Sequence, residues 1–131
     1  MLKSNDVIYQ DVDEEMIRGL SFNSSNTLLA FTDSGGYLKI LNLQSKNVIS
    51  VKAHNGHAIA VVFSSNDKFI ATGGQDNKIC IWNLDEDKII KSFEIQGHSN
   101  DVTSLVFLND TRLISASRDS SIKIWNLSGL H

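Results

Sequence analysis

The chain has 131 residues, 41% of them hydrophobic and 21% charged, with a formal net charge of −3 and a single cysteine, Cys80. These figures fit one domain with a moderate core, and they argue against the basic stripe of a general nucleic-acid or anionic-membrane binder. No apolar run approaches the roughly 18 residues of a spanning helix, polar residues rather than a signal peptide follow Met1, and a lone thiol fits a reducing compartment, the cytoplasm first and the nucleus second.

In chain order, the first candidate element is an outer strand at 7–12, within "DVIYQDV". The short apolar segments "GLSF", "TLLAF" and "LKIL" follow, the last preceded by a Gly35-Gly36 turn, and then "KNVISVKA". The same series returns as "AVVF", "KFIAT", a turn at Asp76-Asn77, "ICIW" and "KIIKSFEI". It returns once more as "SLVF", "RLISA", a turn at Asp119-Ser120 and "IKIW". Each segment is rich in β-branched and aromatic residues and bounded by turn formers, so each reads as a strand. No window holds helical periodicity over three turns.

The series is an internal repeat. Phe22, Phe63 and Phe107 stand 41 and 44 residues apart, and Leu43, Leu84 and Leu127 stand 41 and 43 apart. A period in the low forties signals a repeat array. Four strands per unit, no helix and little strict alternation predict an all-β fold of three sheets covered on both faces, as in propeller blades. The expected division of the 1–131 repeat region is a closing outer strand at 7–12, a degenerate blade at 16–53, a blade at 54–97, and a blade at 98–127 that lacks its own outer strand. Three blades are too few to close a ring. The expectation is therefore a C-terminal fragment of a longer propeller, with a homo-oligomeric ring as its rival.

The repeat resembles the tryptophan–aspartate (WD) family of β-propellers along essentially the whole chain. That family carries "GH" before the first strand, Ser or Thr in the second, Asp in the following turn and Trp at the end of the third. The resemblance implies a hydrogen-bonded network of those four side chains. In the third copy they are His98, Ser115, Asp119 and Trp125. His98 lies nine residues before Phe107, and nine before Phe63 lies His54, so the second set is His54, Thr72, Asp76 and Trp82. The literal "GH" at Gly56-His57 is out of register. The first copy has Asp13, Phe31, Gly35 and Leu41 at these positions, where no such network is expected. Both tryptophans are followed by Asn rather than Asp, which leaves the role of the ring intact.

The role implied for these eight residues is structural, not catalytic. His54 and His57 have metal-ligand spacing, but no cysteine or acidic pair lies in register, so no metal site is expected. No "GxSxG" elbow exists, and Gly73-Gly74 is too short to cradle a phosphate. Cys80 matches Lys39 and Lys123 and is expected to be partly exposed, while the acidic run Asp11–Glu15 reads as a solvated loop. The resemblance implies a non-enzymatic scaffold with protein partners and no cofactor. Its contact positions fall on Met16, Arg18 and Ser34, on His57, Ile59 and Gln75, and on Asp101, Thr103 and Arg118. The last copy and "LKILNLQSKNVI" also resemble actin-interacting WD-repeat proteins, which implies actin and cofilin as a narrower alternative.

Overall fold

The computed structural model describes residues 6–128, and all its regular elements are strands. Blade 1 contains β1 (Ile17–Phe22), β2 (Leu28–Asp33), β3 (Tyr37–Asn42) and β4 (Val48–Lys52). Blade 2 contains β5 (Ala58–Phe63), β6 (Ile70–Gly74), β7 (Ile79–Asp85) and β8 (Lys88–Ile95). Blade 3 contains β9 (Val102–Asn109), β10 (Arg112–Ser117) and β11 (Ile122–Asn126). Every pairing is antiparallel between strands consecutive in sequence, giving two four-stranded sheets and one three-stranded sheet.

Turn chemistry sets these hairpins. The link between second and third strands needs one residue in the left-handed region, and Gly36, Asn77 and Ser120 supply it at φ of 90°, 69° and 72°. Each closes a tight turn by donating its amide to the carbonyl of Asp33, Gly74 or Ser117. At Gly36 the space is also closed, because a Cβ there would lie 2.2 Å from the His54 carbonyl oxygen. Glycine is required on both counts.

The first strands of successive blades lie side by side, β1 against β5 and β5 against β9. Ala30, Leu38 and Ile40 of blade 1 pack with Val61, Phe63, Cys80 and Trp82 of blade 2. On the other side of blade 2, Ala71, Ile79 and Ile81 pack with Val102, Leu105 and Leu113 of blade 3. Blade 2 is thus covered on both faces, and β6 is buried at every position, whereas β11 is mostly exposed. Alternation vanishes where two neighbours cover one sheet. A polar clasp joins each pair of blades at the turn after the first strand. Ser24 donates its amide and hydroxyl to the Asp67 carboxylate at 2.8 and 2.5 Å. Ser65 Oγ and the Asn66 amide donate to Asp110 at 2.5 and 3.1 Å.

One expectation needs correction. Cys80 is fully buried, because its blade has a neighbour on the side to which the thiol points, and Sγ lies 3.8 Å from the Ala53 carbonyl oxygen. Residues 7–12 are irregular in this structure, with Val7 and Val12 exposed. A strand needs a ladder partner to satisfy its backbone, and this segment pairs with none among the described residues.

Candidate functional site

Two side-chain networks tie the strands of blades 2 and 3. In blade 2, His54 Nδ1 lies 2.8 Å from Asp76 Oδ1 and Nε2 lies 2.8 Å from Thr72 Oγ1. Trp82 Nε1 donates to the same hydroxyl at 2.9 Å. The indole is donor-only, so Thr72 Oγ1 accepts from it and keeps its own proton free to donate. Burial favours the neutral imidazole, and in that form Nδ1 donates to Asp76 while Nε2 accepts from the Thr72 hydroxyl. Blade 3 repeats the chain of contacts. His98 Nδ1 lies 2.8 Å from Asp119 and Nε2 lies 2.7 Å from Ser115 Oγ, which accepts from Trp125 Nε1 at 2.8 Å.

The carboxylates also organise the loops. Asp76 accepts from the Asn55 amide at 3.0 Å and Asp119 from the Ser99 and Ser121 amides at 3.1 and 2.9 Å. The Ser121 hydroxyl, with further donors from His98 and these amides outweighing desolvation, holds the Asp119 carboxyl far below its ordinary range. Gly97 precedes His98 for a steric reason: a Cβ there would sit 1.9 Å from the Trp125 ring.

Burial depresses the pKa of His54 below the ordinary 6.5, against the opposing pull of Asp76. The unfolded chain therefore takes up a proton near the ordinary value that the folded chain resists. This contribution to stability is fully present above about pH 6.5 and declines as pH falls below it, toward the depressed folded value. The midpoint of thermal unfolding is expected to drop between about pH 7.5 and about pH 5.5, and His54→Asn to flatten that dependence. An equal slope in wild type and variant would rule this origin out.

The contact positions form a repeated arrangement at one end of the sheets. Ser34 donates its amide to the Met16 carbonyl, Gln75 to His57 and Arg118 to Asp101, each at 2.9 Å. Gln75 Oε1 accepts from the His57 amide at 2.9 Å, and Arg118 Nη1 lies 3.5 Å from Asp101 Oδ2. Arg18 Nη1 lies 2.6 Å from His57 Nδ1, so blades 1 and 2 meet on this face. Met16, Arg18, Gln75, Thr103 and Arg118 are exposed, while Ser34, His57, Ile59 and Asp101 are half-buried. Ile59 and Thr103 flank the loops on β5 and β9.

Blade 1 departs from expectation. Asp13, Phe31, Gly35 and Leu41 make no network, but a different polar cluster forms beside them. Lys39 Nζ donates to Asp11 Oδ2 at 2.6 Å and to Tyr9 Oη at 3.3 Å, and lies 3.2 Å from Asp33 Oδ2. The last is a charge contact without hydrogen-bond alignment, which leaves that buried oxygen without a hydrogen-bond partner. Burial alone would push the Lys39 ammonium down; its bonds to Asp11 and Tyr9 and its contact with the Asp33 carboxylate more than offset this and raise it. Asp11 is correspondingly lowered, chiefly by its bond to Lys39. Asp11 is thus buried and paired, which corrects the solvated-loop expectation for that end of the acidic run. Asp33 accepts the Gly35 and Tyr37 amides at 3.0 Å each, the loop-organising task of Asp76 taken up two residues earlier. Among the described residues, no group of three or more His, Cys, Asp or Glu side chains is arranged to hold a metal.

Blades stacked through their first strands, with tryptophan-centred networks between loop and sheet, define an arc of a β-propeller. The family model "WD domain, G-beta repeat" (WD40) matches residues 45–83 and 88–126, well over half the chain. The chain belongs to the WD40-repeat family. It is 31% identical to Striatin-4 of Mus musculus over 134 residues, covering 86% of this chain and 18% of that protein. It is also 31% identical to Actin-interacting protein 1 of Caenorhabditis elegans over 119 residues, covering 77% and 19%. Identity to human Apoptotic protease-activating factor 1 is 29% over 100 residues, covering 76% and 8%. The chain thus spans less than a fifth of the length of each of these relatives. The solved structure of U3-55K shares the fold at TM-score 0.84 and 21% identity, over 95% of this chain and 39% of that one.

Proposed function

We propose that the chain is part of a non-enzymatic scaffold that docks protein partners on the loop face running from Met16 to Arg118. The observation that carries this reading is the repeated loop pairing of Met16 with Ser34, His57 with Gln75 and Asp101 with Arg118. It sets exposed side chains from three blades on one rigid edge, held from below in blades 2 and 3 by the two networks. Arg18 and Arg118 favour acidic or phosphorylated segments, since guanidinium groups form paired hydrogen bonds with carboxylate and phosphate.

Fluorescence anisotropy with labelled acidic and phosphoserine peptides tests this. Arg18→Glu with Arg118→Glu is expected to weaken binding by about tenfold or more with the unfolding midpoint unchanged. Equal affinity in the double variant would remove the loop face from the function. The likeness to Actin-interacting protein 1 supports a second reading, the C-terminal part of an actin-binding protein that assists cofilin. Co-sedimentation with cofilin-decorated filaments separates the two.

A further inference from the structure

The chain has one Asn-Gly pair, Asn55-Gly56, in the loop that leads into blade 2. Both residues are exposed, and the Asn55 carboxamide is hydrogen-bonded to no described residue. Gly56 cannot be exchanged for a larger residue without strain. Its φ is 79°, in the left-handed region, and a Cβ there would lie 2.9 Å from Gln75 Oε1, which the His57 amide already engages. The fold therefore requires glycine directly after an asparagine whose side chain stands free in water.

The loop is pinned on both sides of that pair. Upstream, the Ala53 and His54 amides donate to the Gly36 carbonyl at 2.8 and 3.0 Å. Asp76 grips the next step, with Oδ1 2.8 Å from His54 Nδ1 and Oδ2 accepting the Asn55 amide at 3.0 Å. Downstream, the His57 amide donates to Gln75 Oε1 and the Gln75 amide to the His57 carbonyl, each at 2.9 Å. Between these pins, the Gly56 amide meets no acceptor among the described residues.

We propose that Asn55-Gly56 is a self-modification site, where the chain converts asparagine to aspartate and isoaspartate with water as the co-reactant. The Gly56 amide nitrogen, on losing its proton, attacks Asn55 Cγ. The new N–C bond closes a five-membered succinimide, and the side-chain nitrogen departs as ammonia. Water then opens the ring at either carbonyl, giving aspartate from one opening and isoaspartate from the other. With no Cβ on Gly56, that residue does nothing to shield the attacking nitrogen. Isoaspartate routes the main chain through Cβ and so lengthens it by an atom. A loop fixed at Asp76 and at Gln75 has no slack for the addition, so a pin must break. The new carboxylate also adds negative charge beside Asp76, which favours the same outcome.

The test is ageing of the full, folded chain at neutral pH, followed by tryptic digestion and mass spectrometry of the fragment 53–68, which lies between Lys52 and Lys68. That fragment carries its own control in Asn66, equally exposed but followed by Asp67 and bonded to the Lys68 amide at 2.9 Å. Asn55 is expected to show the amide-to-acid mass gain about tenfold or more faster than Asn66, because only Asn55 precedes a glycine. The rate should rise with pH, since the attacking amide must lose its proton, and Asn55→Gln should remove the gain at this position. The isoaspartate fraction should unfold at a lower temperature than both the fresh chain and Asn55→Asp, which adds the charge without lengthening the backbone. Conversion at Asn55 no faster than at Asn66, or a rate indifferent to pH, would overturn the modification site. An isoaspartate fraction that unfolds with the fresh chain would overturn the pinned-loop consequence.

Discussion

Replacing Thr72 by Val should destabilise the chain by about 2–4 kcal/mol. The two side chains are close in shape, so the change isolates a single hydroxyl. That hydroxyl is fully buried and serves both His54 Nε2 and Trp82 Nε1. Its loss strands a buried ring nitrogen and a buried indole N–H, at about 1–3 kcal/mol for each unsatisfied group. His57→Ala is the paired control. His57 contacts Arg18 and its amide meets Gln75, both at the loop face, so the change should stay within about 0.5 kcal/mol. Urea unfolding of both variants gives the comparison. If His57→Ala costs as much as Thr72→Val, the register of blade 2 is wrong.

Ile122→Glu with Ile124→Glu should abolish self-association of the chain. Both side chains project from β11 on the face opposite Trp125, beside Val106 and Leu108, which are 52% and 56% exposed. Four large apolar groups on one uncovered sheet make a patch that soluble monomers seldom leave in water, and the edge of β11 adds unpaired backbone groups. Wild type is therefore expected to form dimers, larger oligomers or aggregates, and the double variant to run at the 14.5 kDa of one chain. Light scattering across a concentration series reads this directly. A folded wild-type monomer at high concentration would show that this face tolerates solvent and that three blades need no partner.

What could be read from the sequence was whatever recurs in register. Phe22, Phe63 and Phe107 fixed the period, and counting back from them separated His54 from His57, which the two letters "GH" alone would have reversed. The strands and their hairpin turns followed from the same alignment. Features that depend on a neighbour were harder to read. Cys80 shares a column with two lysines, but a column does not record that the short thiol stops beside the Ala53 carbonyl, against the preceding blade, while the longer Lys123 reaches solvent. The closing strand expected at 7–12 would pair with the last blade of a closed ring, an edge that a single arc does not bring to it. The cluster of Tyr9, Asp11, Asp33 and Lys39 uses positions outside the network columns, so alignment passes over it. Its one legible sign was Asp33, an acid displaced by two residues in the only copy lacking the expected Asp. The clasps left a plainer trace: serines at matching places in two copies and acids at matching places in the next, Ser24 with Asp67 and Ser65 with Asp110.

The burial of Cys80 gives the chain an internal clock for its own opening. The thiol lies between blades 1 and 2 with no exposed surface, and burial raises its pKa to about 11, so at neutral pH it is both unreachable and protonated. A thiol reagent can modify it only in moments when the two blades part. With reagent slow relative to reclosing, the labelling rate equals the intrinsic rate of an unstructured thiol times the fraction of time spent open. Any ligand or substitution that tightens the contact between those blades then registers as slower labelling at one atom, without a fluorophore, a tag or a denaturant.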